Sequence, residues 1–213
     1  MSARDEILAR IRASLADVPA NERREVPWEY GRATPNDDVL GKFVEMCVDY
    51  KAVVERVPAA KTAETVAALL TSKGVKTVVV PPGTDKAWRA AIEKAGVTII
   101  DDDPPRDRKE LDTIDAVVTA AAVGIAETGT VVLDHREDQG RRALSLVPDT
   151  HVCVVRADQV VSDVPESVVR LEAAIKAGRP LTWISGGSAT SDIELSRVEG
   201  VHGPRNLLIV LAE

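Results

Sequence analysis

Apolar, β-branched runs alternate along most of this chain with segments of helical periodicity, and this alternation restricts the fold more than any other feature. The valine-rich run 75–80 lies between Gly74 and Pro81. Helical patterns precede it over 62–73 and follow it over 85–95. A continuous β-branched run is typical of a strand that is covered on both faces. The pattern therefore predicts right-handed βαβ units and an α/β fold, with a mostly parallel sheet and helices on both faces.

The same periodicity extends through the second half of the chain. We predict helices at 38–49, 62–73, 85–95, 141–147 and 164–177, and strands at 52–57, 75–80, 97–100, 116–119, 130–133, 152–155, 181–185 and 207–211. Pro165 and Gly178 are placed as expected for the first turn and the end of the last predicted helix.

The first 37 residues differ from the rest and predict a separate arm. A helical stripe over 2–16 carries Ile7, Leu8 and Ile11, and Ser2 is the expected N-cap. Residues 17–37 contain three prolines and no periodicity, which is typical of a linker. We predict a helix and linker arm over 1–37 and an α/β domain over 38–213. The helix either covers the chain's own core or docks on a partner subunit, including a second copy of this chain.

Charge and hydropathy exclude several functional classes. The net charge of −7 and the pI of about 5.1 disfavour nucleic acid as a partner. The arginine pairs at 23–24 and 141–142 do not form a basic stripe. No apolar stretch approaches the roughly 18 residues of a membrane span, and the N-terminal region lacks the apolar core of a signal peptide. We therefore expect a cytoplasmic protein.

Cysteine and histidine usage argues against a metal centre. The two cysteines, Cys47 and Cys153, are too few and too far apart in sequence for an iron–sulfur site, which needs about four. Three scattered histidines make a zinc site improbable. The sequence also lacks the glycine patterns of dinucleotide-binding folds and P-loops. We expect no metal and no cofactor bound by the chain's own motifs, and we interpret both cysteines as buried structural thiols.

One polar segment, Gly124–Thr130, connects two predicted strands. Glu127 is a candidate general base within it. The residues beside it are candidate substrate contacts: Thr128, Gly129 and Thr130. The alternative is a tight connection whose threonines satisfy backbone groups.

The second polar segment runs from Gly186 to Pro204, again after a predicted strand. Ligands of open α/β sheets bind beyond the carboxyl ends of the strands, and loops of this kind offer N–H groups to anions. Asp192 and His202 are candidate catalytic residues here, and His135 and His151 are interpreted as structural. The candidate substrate-binding residues of this segment are Gly186, Ser188, Thr190, Glu194 and Glu199.

Structural alternatives exist for the same residues of the second segment. Either Thr190 or Asp192 can serve as the N-cap of a short helix that carries Leu195 and Val198. His202, which precedes a Gly-Pro pair, can be a turn residue.

Taken together, the two segments resemble the LUD family, specifically its lactate utilization protein C (LutC/YkgG) group. The resemblance rests on Gly124–Thr130, Thr190–Glu194 and Arg197–Pro204, and it extends to the N-terminal helix and the order of elements. The chain departs from the family at Gly187, where proline is common, and at Ala189, where a basic residue is common.

The resemblance implies a fold similar to the NagB/RpiA/CoA-transferase group. It also implies a role in oxidising L-lactate to pyruvate, within a cytoplasmic system whose partner proteins carry the iron–sulfur clusters. This chain would then be an accessory or substrate-handling subunit that meets a small anionic substrate. Two alternatives stay open from the residues: an independent enzyme acting on a sugar phosphate or an acyl-CoA, and a regulatory module that binds a small molecule.

Overall fold

The computed structural model describes residues 2–18, 34–190, 198–199 and 203–213. Contacts divide the chain into two units, residues 1–30 and 31–213. The first unit contains helix α1, Ala3–Ser14. Ser2 caps it as predicted: the Ser2 hydroxyl accepts a hydrogen bond from the Asp5 N–H, and the Asp5 carboxylate accepts one from the Ser2 N–H. The division into an arm and a domain at residue 37, and a role of α1 in self-association, stay predictions.

The second unit contains five helices and twelve strands among its described residues. The helices are α2 Val39–Asp49, α3 Thr62–Ser72, α4 Lys86–Lys94, α5 Arg108–Asp112 and α6 Val164–Lys176. The strands are β1 Val53–Val57, β2 Thr77–Val79, β3 Thr98–Ile100, β4 Ala116–Ala120, β5 Val123–Ile125, β6 Thr130–Leu133, β7 Thr150–Arg156, β8 Val160–Val161, β9 Thr182–Ile184, β10 Ala189–Thr190, β11 Val198–Glu199 and β12 Asn206–Ala212. No helix in these described ranges is long and apolar enough to cross a membrane.

A six-stranded parallel sheet forms the centre of this unit, in the order β1-β12-β7-β4-β2-β3. Its two faces are both apolar, and the central strands divide their side chains between them. In β12, Ile209 and Leu211 pack on one face, whereas Leu208 and Val210 pack on the other. This is the burial pattern expected of a parallel sheet that is covered on both sides. The predicted α/β fold with a mostly parallel sheet is confirmed.

The two faces are covered by different elements. Apolar residues of α3 and α4, including Leu70 and Ile92, pack on one face. The other face is covered by α2, through Phe43 and Cys47, together with residues of a second sheet such as Leu133. This second sheet has the order β8-β5-β6-β9 and is mixed, since β6 is antiparallel to both its neighbours whereas β5 and β8 are parallel.

The second sheet corrects several sequence predictions. We expected 130–133 and 181–185 to extend the main sheet, but both segments belong to the mixed sheet. Gly124 and Ile125 were assigned to a polar loop, yet they form part of β5. Gly124 suits this buried strand because a Cβ there would lie 3.2 Å from the Phe43 ring and 3.3 Å from Val155. The segment predicted as a helix over 141–147 is a short 3₁₀ turn, Arg142–Ser145.

Candidate functional site

A cavity of about 250 Å³ lies where β9 ends and where β7 and β12 begin. We call it the hydroxyl cavity, because its wall includes Ser145, Thr182, Ser185 and Ser188, together with His151 and three glycines. Pockets for drug-sized ligands are typically about 300–1,000 Å³, so this cavity suits a smaller molecule.

The position of the cavity corrects an expectation about the sheet. We expected both polar segments at the carboxyl ends of strands. The 186–204 segment does follow the carboxyl end of β9, but the central parallel sheet meets the cavity at its opposite edge. His151 and Leu207, which pair with each other, are the second residues of β7 and β12, and both line the cavity.

Close backbone packing shapes the loop that closes the cavity. Gly186 has a φ of +83°, and a Cβ there would lie 2.5 Å from the Tyr50 carbonyl oxygen at the end of α2. A Cβ on Gly187 would overlap the Arg205 carbonyl oxygen. The Ser188 N–H donates to the Pro204 carbonyl at 2.7 Å, which ties the two ends of the segment together. Only glycine fits at the first two positions without a shift of the backbone.

The same loop leaves hydrogen-bond donors at the cavity wall. Among the described residues, the backbone N–H groups of Gly186 and Gly187 donate no hydrogen bond. Unpaired N–H groups in a concave wall are donors that suit a carboxylate or another anion.

His151 is the most unusual member of the wall. It is 1% exposed, and its neighbours across the parallel ladder are Val117 and Leu207. Its Nε2 lies 2.8 Å from the Thr119 hydroxyl, whereas Nδ1 has no partner within the part of the chain that the structure describes. Burial lowers the pKa of His151 to about 4, so the imidazole is neutral near pH 7. An unsatisfied buried polar atom costs about 1–3 kcal/mol, which argues for a role beyond packing.

A line of weak polar contacts continues behind His151. The Thr119 hydroxyl is 3.9 Å from Cys153 Sγ, and Cys153 Sγ is 4.0 Å from the Ala120 carbonyl oxygen. Cys47 and Cys153 are both buried as predicted, and burial raises the pKa of each thiol to about 12. Both therefore remain protonated and act as apolar packing groups with weak S–H donors.

A chain of hydroxyl groups joins the first polar segment to the hydroxyl cavity. The Thr130 hydroxyl is 2.7 Å from the Thr128 hydroxyl and 2.7 Å from that of Ser185, which lines the cavity. Gly129 lies between the two threonines with a φ of +55°, where a Cβ would lie 2.5 Å from the Met46 carbonyl carbon in α2. The structure thus brings Thr128, Gly129 and Thr130 to the back of the cavity rather than to its wall.

Glu127 is exposed and does not contribute to the hydroxyl cavity among the described residues. Its N–H donates to the Ser162 carbonyl at 3.0 Å, an edge contact that continues the pairing of β5 with β8. No described contact links its carboxylate to the cavity, so its predicted role as a base stays a prediction.

The remaining predicted residues fall into three groups: some line the cavity, some lie in the β10-β11 ladder, and some lie outside the described residues. Gly186 and Ser188 line the cavity, and their role in binding a substrate stays a prediction. Thr190 and Glu199 belong to the two-stranded ladder β10-β11, in which Thr190 pairs with Val198. Val198, which one alternative places on a helix that starts at Thr190 or Asp192, therefore lies in a strand instead. The residues Asp192, Glu194 and His202 lie outside the described residues.

Sequence reasoning missed four polar members of the wall: Ser145, His151, Thr182 and Ser185. His151 was interpreted as structural because it stands in a β-branched run. A signal was present, since a histidine in an otherwise apolar run needs a polar partner on both ring nitrogens or a ligand. His135 meets that requirement inside the fold: its Nδ1 lies 2.9 Å from the Gly140 carbonyl and its Nε2 2.8 Å from the Thr182 hydroxyl.

A wider groove adjoins the hydroxyl cavity and shares Leu146 and Gly203 with it. Four arginines from three separate parts of the sequence line this groove: Arg108, Arg141, Arg142 and Arg205. Ion pairing offsets part of their charge, since Arg141 pairs with Asp102 and Arg205 with Asp149. In the ranges that the structure covers, no group of three or more histidine, cysteine or acidic side chains could hold a metal ion.

Comparison with known proteins gives a consistent set of relatives. The family model of the LUD domain matches residues 40–212. Lactate utilization protein C of Deinococcus radiodurans is 50% identical over 186 residues, which cover 87% of this chain and 83% of that protein. A protein of the same name from Shouchella clausii is 23% identical over 97% of this chain and 93% of its own length.

A solved structure supports the same relationship. The crystal structure of a DUF162 family protein from Deinococcus radiodurans superposes with a TM-score of 0.69 and 43% identity, covering 83% of this chain and 97% of that one.

Proposed function

Because this chain belongs to the LUD domain family and its lactate utilization protein C group, we propose that it takes part in lactate utilization, as a subunit that assists the oxidation of L-lactate to pyruvate. The observation that carries this proposal is the 50% identity to the Deinococcus radiodurans protein over 87% of the chain. A cavity that suits a small ligand and is walled by hydroxyl and N–H groups is chemically compatible with it.

The cysteine content of the chain indicates which part of the reaction it performs and which part its partners perform. Oxidation of lactate removes two electrons, which need an acceptor, and the sequence has two cysteines where a self-contained cluster needs about four. We therefore assign electron transfer to iron–sulfur partner proteins and substrate handling to this chain. Its two cysteines are free thiols, which suits work in the reducing cytoplasm.

A genetic experiment tests the role in lactate utilization. The gene is deleted in the organism that encodes it, and growth is compared on L-lactate and on glucose as sole carbon source. We expect growth to fail on L-lactate alone and to return when the full chain is supplied again. Normal growth of the deletion strain on L-lactate would refute the role.

A biochemical experiment tests the accessory position. Affinity-tagged full chain is isolated from cells grown on L-lactate and, as the matched control, from cells grown on glucose. We expect cysteine-rich iron–sulfur proteins to co-purify from the lactate-grown cells, and lactate oxidation to appear only in their presence. Oxidation of L-lactate by the isolated chain would contradict a non-redox role. Turnover of a sugar phosphate or an acyl-CoA by the isolated chain would favour an independent enzyme instead.

A further inference from the structure

The contacts around His151 form a continuous donor–acceptor line for one of its two neutral tautomers. The line of contacts runs from His151 Nε2 to the Thr119 hydroxyl, then to Cys153 Sγ and the Ala120 carbonyl. The carbonyl can only accept, so the Cys153 thiol donates to it, and the sulfur can then accept from the Thr119 hydroxyl while the Thr119 oxygen accepts from an Nε2–H. In this arrangement Nε2 carries the ring proton, and the neutral ring presents Nδ1 as an acceptor without a donor among the described residues.

The glycine loop in the same wall has the complementary property. The N–H groups of Gly186 and Gly187 donate no hydrogen bond among the described residues, so they are donors without an acceptor. Among the described residues, the cavity therefore offers no donor to His151 Nδ1 and no acceptor to the N–H groups of the glycine loop. A short acid with a hydroxyl group beside its carboxylate supplies both.

Charge and size narrow the ligand further. No lysine or arginine is among the described residues of the cavity wall, and a neutral His151 adds no positive charge. Binding by the described part of the wall therefore uses directional hydrogen bonds, which favours a monoanion over a phosphate ester. A volume of about 250 Å³ suits a molecule of a few carbon atoms.

Building on the proposed function, we propose that the hydroxyl cavity is a binding site for short 2-hydroxy acids. His151 Nδ1 accepts a hydrogen bond from the hydroxyl of the ligand, and the N–H groups of Gly186 and Gly187 donate to its carboxylate. Nδ1 is shielded from water in the unliganded chain. The contact therefore forms as the wall adjusts on binding, since hydrogen bonds in binding sites commonly tighten only in the complex.

Specificity for the hydroxyl group follows from this arrangement. Pyruvate and propionate carry a similar carboxylate but no hydroxyl donor, and each would leave Nδ1 unpaired. A site that is built to pair with a hydroxyl group discriminates against analogues that lack it. We expect about tenfold weaker binding of both analogues than of L-lactate, in line with the cost of one unsatisfied buried acceptor.

The test uses the purified full chain and three probes, L-lactate, pyruvate and propionate, in calorimetric titrations. The His151→Gln variant keeps a polar atom near the Nε2 position, and so the contact with Thr119, but it removes the Nδ1 acceptor. We expect it to bind the three acids with equal affinity. The matched control is His135→Gln, which changes a histidine that lies outside the cavity wall and has both ring nitrogens occupied. It should keep the preference for L-lactate.

An NMR measurement keeps the test decisive if His151→Gln does not fold. The imidazole ¹⁵N signals of the wild-type chain report the tautomer directly. We expect Nδ1 of His151 to be unprotonated, and its signal to shift with L-lactate and not with propionate.

Three results would overturn the proposal: an Nδ1–H tautomer, tighter binding of pyruvate than of L-lactate, or no binding of any of the three acids at millimolar concentration. A chain that restores growth on L-lactate but binds none of the acids would refute this site while leaving the proposed function intact.

Discussion

Replacing Gly129 by alanine tests whether the turn between β5 and β6 depends on contact with α2. Gly129 has a φ of +55°, and a Cβ would lie 2.5 Å from the Met46 carbonyl carbon and 2.7 Å from the Cys47 backbone nitrogen. Two costs therefore add. A left-handed backbone costs a non-glycine residue about 1–2 kcal/mol. Overlap with a helix backbone that cannot rotate away costs about 1–3 kcal/mol more.

The chain offers a matched control for the first of these costs. Gly74 has a similar φ of +68°, but a Cβ there would meet nothing within 4 Å. We expect Gly74→Ala to lower the free energy of unfolding by about 1–2 kcal/mol and Gly129→Ala by about 2–5 kcal/mol. For a chain of this size, each kcal/mol corresponds to roughly 2–4 °C in Tm.

Urea unfolding followed by circular dichroism measures both variants against the wild-type chain. Equal destabilisation by the two substitutions would refute the reasoning, because only Gly129 combines the backbone strain with a close approach to α2. If Gly129→Ala lowers the free energy of unfolding more than Gly74→Ala does, the difference measures the cost of the close contact with α2.

Three further predictions concern buried groups. The pKa of His151 falls from 6.5 to about 4 on folding, so the unfolded chain takes up a proton at a higher pH than the folded chain does. The free energy of unfolding should therefore keep its full value above about pH 6.5 and be lower by roughly 2 kcal/mol at about pH 5. His151→Gln should remove this part of the pH dependence in urea titrations, and an unchanged slope would contradict the assignment. Cys47 and Cys153, with pKa values raised to about 12 by burial, should react slowly with a thiol reagent at about pH 8, whereas both should react at once in denaturant; fast labelling of the folded chain would argue against their burial. Burial acts to raise the pKa of Asp134, but the hydrogen bonds and charges of two arginines outweigh it and lower that pKa. Asp134→Asn should therefore lower the free energy of unfolding by about 1–3 kcal/mol, a value that already allows for the partial exposure of both arginines. If thermal unfolding of the variant at neutral pH matches that of the wild type, the ion pairs contribute nothing.

The central sheet could be predicted from the sequence because its strands are buried on both faces. Runs such as 75–80 and 207–211 contain mostly β-branched or apolar residues, a composition that is typical of strands buried on both faces. The mixed sheet has no such signal. Its strand β8 has two residues, and β5 contains a glycine whose place in the strand depends on Phe43, a residue far away in sequence.

The sequence could predict the candidate site only where its polar residues are neighbours in the chain. The Gly186–Ser188 loop is recognisable because glycine and hydroxyl residues occur together there. His151 is different, since its unusual state depends on which atoms surround each ring nitrogen. That information comes from Thr119 on the neighbouring strand and from the cavity beside β12, and neither is visible in local sequence.

The carboxyl end of α2 explains why two polar segments that are sixty residues apart in the chain occur as a pair. Gly129 approaches the backbone at Met46 and Gly186 approaches it at Tyr50, about one helical turn further on. The hydrogen bond between Thr130 and Ser185 then joins the two segments directly. The Gly124–Thr130 motif therefore acts as the support that sets the position of the cavity loop. A substitution at Gly129 that leaves the chain folded should consequently weaken binding in the hydroxyl cavity, although Gly129 is not part of its wall.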